Sequence, residues 1–99
     1  MWILRTVDDD QREKTFRILP GTVRTVGRAT GADFIVDAPL VSRVHCRLTA
    51  HPDGGLEVSD LSSTNGTFVN GNRIDRAPLS SGDRLGVGRV ELVALKDVD

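Results

Sequence analysis

Apolar and polar residues alternate over short stretches of this chain, and turn-forming residues interrupt the alternation about every ten positions. Val44, Cys46 and Leu48 alternate with His45, Arg47 and Thr49, the period-two pattern of a strand with one face buried. Segments 2–7, 15–19, 23–26, 33–36, 44–50, 56–59, 67–69, 84–87 and 90–95 are each short and rich in β-branched or alternating apolar residues, and each predicts a strand. Segment 90–95 alternates more weakly, Val90, Leu92 and Ala94 against Glu91, Val93 and Leu95, as expected of a strand covered on both faces. No stretch gives a convincing helix.

Between these segments stand Pro20-Gly21, Pro52-Asp53-Gly54-Gly55, Thr64-Asn65-Gly66, Asn70-Gly71-Asn72 and Ser81-Gly82-Asp83. Each supplies Gly or Asn where a tight turn calls for positive φ. Many short strands joined by such turns indicate an all-β sandwich or barrel. The core is aliphatic: Trp2, Phe16, Phe34 and Phe68 are the aromatic residues, and there is no Tyr.

Composition narrows the function classes. The 99 residues fit one domain over 1–99, with its core at about 2–95, since a chain of this size buries roughly two-thirds of its extended surface. Charged residues cluster at 8–14 and 96–99, which reads as an exposed loop and a charged chain end. With 38% apolar and 27% charged residues the chain is globular. Its formal net charge of −1 provides no global field for a nucleic acid or an anionic membrane. Cys46 is the single cysteine and only His45 and His51 accompany it, so neither an internal disulfide nor a structural zinc cluster is expected. No stretch approaches the roughly 20 apolar residues of a membrane span, and Arg5 and three aspartates interrupt the N-terminus before any signal-like run. The expectation is an intracellular, cytoplasmic monomer without cofactor or metal.

Three segments stand apart from ordinary sandwich grammar. They are Gly27-Arg28, Ser42-Arg43-Val44-His45, and the run from Asp60 to Gly71, DLSSTNGTFVNG. All fall at strand ends or loops, where binding residues sit on a rigid scaffold. They offer two guanidinium groups and several hydroxyls and amides, with no carboxylate within the turns, an inventory suited to a phosphate.

In that order and spacing, GR, SRVH and DLSSTNGTFVNG resemble the signature of the forkhead-associated (FHA) domain family, with the match running from about Thr22 to Leu95. The resemblance implies a two-sheet β-sandwich of about eleven strands with its binding loops at one end. It implies that Arg28, Ser42, Arg43, Thr64 and Asn65 bind a phosphothreonine-containing segment of a partner protein, itself a Ser/Thr kinase or a kinase substrate. Gly27, His45, Gly66 and Asn70 resemble positions that shape the binding loops. Pro39, Leu40 and Val41, then Gly71, Asn72 and Arg73, fall in two loops that in the family help read the residue three positions downstream.

Other readings compete with this one. Ser42, His45 and Asp60 invite a catalytic triad, but residues three apart on a strand point to opposite faces, which separates Ser42 from His45 unless the chain turns there. No Gly-x-Ser-x-Gly elbow is present, Cys46 falls on an apolar face, and the chain is not expected to be an enzyme. Asn65-Gly66-Thr67 matches a glycosylation sequon that matters only in a secreted chain. Few aromatics are available for base stacking. A phosphate-independent scaffold, docking a partner through a sheet face, is the alternative function.

Overall fold

The computed structural model describes residues 1–7 and 14–96; the charged segments 8–13 and 97–99 lie outside the described residues. Eleven strands follow one another: β1 (Trp2–Thr6), β2 (Thr15–Ile18), β3 (Val23–Gly27), β4 (Phe34–Ile35), β5 (Cys46–Ala50), β6 (Leu56–Asp60), β7 (Thr67–Val69), β8 (Asn72–Ile74), β9 (Arg76–Leu79), β10 (Arg84–Val87) and β11 (Val90–Lys96). They form a six-stranded sheet in the order β2-β1-β11-β10-β7-β8 and a five-stranded sheet in the order β4-β3-β5-β6-β9. Neighbouring strands are antiparallel except for β3 and β4, which run parallel.

Alternation places the core between the two sheets. Leu4, Ile18, Leu85 and Leu92 from one sheet meet Val26, Leu48 and Val58 from the other, each at most 1% exposed, and each such burial stabilises the fold by about 1.5–3 kcal/mol. Phe16 of β2 stacks on Phe34 of β4 with ring centroids 4.8 Å apart and so bridges the two layers. Trp2 is buried, and its indole Nε1–H donates to the Gly54 carbonyl at 2.9 Å, which satisfies the one polar atom that burial would otherwise strand.

β8 and β9 are absent from the pattern-based reading. Asn72-Arg73-Ile74 and Arg76-Ala77-Pro78-Leu79 are short, and Pro78 lacks an amide proton. Both are edge strands, where a missing donor costs no ladder bond. Two further expectations are corrected. Val44 does not belong to the buried face of β5: it is 45% exposed, and the strand begins at Cys46. β11 lies between β1 and β10, but only Leu92 and Ala94 are buried; Val93 and Leu95, on the other face, remain partly open because no second layer covers that face.

The strand directions bring four connections to one end of the sandwich. These are the β3–β4 and β4–β5 loops, the β6–β7 loop and the two-residue turn between β10 and β11.

Candidate functional site

Backbone contacts between loops distant in sequence build the site. Gly27 ends β3 where the chain passes directly beneath residues 43–44. A Cβ there would collide with the Arg43 carbonyl, so only glycine fits. Just beyond it, the Arg28 amide donates to the Ser42 carbonyl at 3.0 Å and the Ala29 amide to the Arg43 carbonyl at 3.1 Å. The two loops are thereby stitched side by side. Arg28 Nε donates to the Val41 carbonyl at 3.1 Å, which aims the guanidinium and leaves its Nη groups without a partner among the described residues.

His45 is completely buried and joins the β4–β5 loop to the β6–β7 loop. The Ser42 amide donates to its Nδ1 at 3.1 Å, and its Nε2 lies 2.8 Å from the Gly66 carbonyl. An amide can only donate and a carbonyl can only accept, so the pair of contacts selects the neutral ring with its proton on Nε2. The chain therefore does turn between Ser42 and His45, yet no catalytic dyad results. The ring holds the Ser42 backbone, whereas the Ser42 hydroxyl accepts from the Thr64 amide at 3.1 Å. That bond uses an acceptor lone pair of the hydroxyl and not its proton.

Asp60 organises the β6–β7 loop. Its carboxylate accepts hydrogen bonds from the Ser63 hydroxyl and amide and from the Thr67 hydroxyl, and Ser63 Oγ in turn accepts from the Gly66 amide at 3.0 Å. Burial opposes the charge on Asp60, but the bonds from Ser63 and Thr67 outweigh it and hold the carboxyl below its ordinary 3.8. A group whose folded value is lowered stabilises the protein above its unfolded value, and that contribution disappears as the pH falls through the folded one. Asp60→Asn is therefore expected to be less stable than the parent by about 1.5–3 kcal/mol at pH 7, and this difference should shrink as the pH falls below 4, as checked by urea unfolding at pH 7, 4 and 3. A constant difference across that range would refute the assignment. Burial, aided by the Asp60 charge, pushes the Cys46 thiol up to about 12, so it is an inert core residue.

Asn65 donates through Nδ2 to the Leu40 carbonyl at 3.0 Å, leaving its amide oxygen without a partner among the described residues. Leu40 sits at φ 70°, an uncommon conformation for a bulky side chain, held by that bond and by the packing of Gly88 beneath it. A Cβ on Gly88 would come within 3.0 Å of the Pro39 oxygen, the Leu40 carbon and Val41 Cγ2.

These contacts leave an open cleft of about 650 Å³ lined by Arg28, Ser42, Arg43, Thr64 and Asn65, with Asp37 and residues 38–41 completing its wall. All five residues expected to touch ligand are thus brought together, and Gly27, His45 and Gly66 support the loops that carry them. Asn70 does not. At the far end of β7, its side chain bonds Asp83 and the Arg84 amide, so it secures the β7–β8 turn and not the cleft. Gly71, Asn72 and Arg73 are likewise absent from the cleft; Arg73 lies over Gly66 instead. Asp37 was missed. It stands two residues beyond a two-residue strand, and nothing local distinguishes it from a surface aspartate.

The profile of the FHA domain family matches residues 24–88, which spans all three motifs and most of the sandwich. The chain is an FHA domain. Members of this family are non-catalytic interaction modules that recognise phosphorylated motifs through arginine-bearing loops. The domain is 46% identical over 79 residues to the ABC transporter ATP-binding/permease protein Rv1747 of Mycobacterium tuberculosis, covering 80% of this chain but 9% of that protein. It spans about half the length of several other curated relatives, among them the glycogen accumulation regulator GarA of Mycolicibacterium smegmatis, 35% identical over 78 residues, covering 79% of this chain and 49% of that protein. Among solved structures, the FHA domain of the CT664 protein from Chlamydia trachomatis superposes with a TM-score of 0.93 over 98% of both chains at 22% identity, a likeness of fold. An FHA structure from work on phosphothreonine-dependent interactions superposes with a TM-score of 0.83 at 28% identity, covering 97% of this chain and 96% of that one.

Proposed function

We propose that this FHA domain binds phosphothreonine-containing segments of a partner protein in its loop cleft, with Arg28 and Ser42 as the principal phosphate ligands. The observation that carries the reading is the convergence of Arg28, Ser42, Arg43, Thr64 and Asn65 on one open cleft from three separate loops. A phosphothreonine brings about −1.5 to −2 charges and three acceptor oxygens. The Arg28 guanidinium offers a planar fork to two of them and the Ser42 hydroxyl a further donor. Arg43 adds positive charge at the rim, and the open Asn65 amide oxygen suits a peptide N–H.

Three or four charge-assisted bonds contribute roughly 1.5–3 kcal/mol each. Ordering the peptide offsets several of these kilocalories, which leaves an affinity near the micromolar range, about −8 kcal/mol. That strength suits a reversible module engaged by a Ser/Thr kinase and released by a phosphatase. Asp37, in the same cleft, repels acidic side chains and favours a basic one away from the phosphate.

A library of phosphothreonine peptides, their phosphoserine counterparts and the unmodified sequences, titrated by fluorescence polarisation, tests the reading. Micromolar binding confined to phosphorylated peptides is expected. Indifference to the phosphate would end the proposal.

A further inference from the structure

Phe68 departs from the other aromatics. Trp2 and Phe34 are buried and Phe16 packs against the core, whereas Phe68 is half-buried outside that cluster, on the outer face of the six-stranded sheet. Its cross-strand partner on β10 is Gly86, which is followed on β11 by Glu91. Because Gly86 has no side chain, the surface dips between Phe68 and Glu91. The resulting groove of about 470 Å³ runs along β10, from Arg84, Asn70 and Gly71 at one end to Gly88 and Arg89 at the other.

A purely structural role explains part of this. A Cβ on Gly86 would lie 3.3 Å from Phe68 Cβ, so the glycine makes room for the aromatic residue. That leaves unexplained both the open volume beside the ring and the charge around it. Arg84 and Arg89 line the groove, against Glu91 as the one lining carboxylate. Glu91 pairs with Arg84 at 3.3 Å; Arg89 is exposed and has no ion-pair partner among the described residues. A chain with a net charge of −1 thus sets two arginines at the ends of an apolar floor.

We propose that this groove is a second protein-binding site, which takes an extended acidic segment carrying one large apolar side chain. The apolar side chain lies on Phe68 and the bare backbone of Gly86, and flanking carboxylates pair with Arg89 and Arg84. Charge complementarity selects this occupant over a basic or neutral one. The site stands independently of the phosphate reading. It is also placed to act with it, because Gly88 at the groove's end packs against Pro39 and Leu40 of the cleft wall, so one partner could engage both.

The test is a titration of the isotope-labelled domain, followed by amide chemical shifts. The probe is an unphosphorylated heptapeptide with one phenylalanine between three acidic residues on each side. Shifts are expected at Phe68, Gly86, Gly88, Arg89 and Val90 and not at Ser42, Thr64 or Asn65, saturating below about 1 mM. Replacing the phenylalanine by alanine, or the carboxylates by amides, should each weaken binding. Arg89→Glu alone, and Arg89→Glu with Arg84→Gln, should weaken it by about tenfold or more, with the dispersed spectrum reporting that the variants stay folded. Arg28→Ala should leave this binding unchanged. No shifts in the groove, shifts confined to the phosphate cleft, or equal binding of the three peptides would overturn the proposal.

Discussion

Arg28→Ala is expected to weaken binding of a phosphothreonine peptide by about 30- to 100-fold, with little change in stability. The guanidinium is held by one bond from Nε to the Val41 carbonyl, and losing that bond costs the fold about 0.5–1.5 kcal/mol. In the proposed complex its Nη groups carry the ligand bonds. Removing a partly solvent-exposed fork to a phosphate costs about 2–3 kcal/mol, and each 1.4 kcal/mol is a factor of ten in affinity. Arg28→Lys separates charge from geometry, since lysine keeps the charge but cannot offer a planar fork or the Nε bond. It should recover only part of the loss. Isothermal titration of both variants, beside their thermal melts, checks the claim. Undiminished affinity in Arg28→Ala would remove this side chain from the phosphate site.

His45→Ala is expected to cost about 3–5 kcal/mol of stability, a large share of the roughly 5–15 kcal/mol available to a domain of this kind. The side chain is fully buried, so its loss leaves a cavity. It also strands two polar groups: the Ser42 amide loses its acceptor and the Gly66 carbonyl its donor. An unsatisfied buried group costs about 1–3 kcal/mol. The damage extends to binding, because the imidazole is the tie between the loop bearing Ser42 and the loop bearing Thr64 and Asn65. His45→Gln supplies one donor and one acceptor on a longer stem and should recover part of the stability. Urea unfolding measures both variants; a loss under about 1 kcal/mol in the alanine variant would show that water or a neighbour satisfies those groups.

Both effects illustrate how function rests on second-layer contacts in this fold. Arg28 and Ser42 are the proposed phosphate ligands, but Gly27, His45 and Asp60 decide where those side chains stand. Gly27 allows the close approach of residues 43–44 to β3. Asp60 gathers Ser63 and Thr67 so that the turn presents Thr64 and Asn65. The cost of holding Leu40 at positive φ, of order 1–3 kcal/mol, is borne next to the cleft, where Asn65 and Gly88 hold it in place.

Much of this was legible in the residues. Nine of the eleven strands follow from alternation and turn chemistry, because a strand's faces repeat every two residues and Gly or Asn marks a forced turn. Val44 misled, since an alternating register continued through a bend that the sequence does not mark. β8 and β9 escaped because edge strands tolerate proline and charge. Asn70 was grouped with the cleft by its place in the DLSSTNGTFVNG run, whereas β7 carries it to the opposite end of the sandwich.

By itself the amino-acid order determined the β-rich class, the aliphatic core, the single inert cysteine and the three motifs that mark the family. These are local properties, set by periodicity, turn propensity and residue type. Tertiary structure alone decided that Asp37 joins the cleft, that His45 ties two loops through a fixed tautomer, and that Phe68 and Gly86 open a groove among arginines. Each of those outcomes depends on strands paired across long stretches of chain. Register between such strands is fixed by the packing of the whole sandwich, not by any neighbour in sequence.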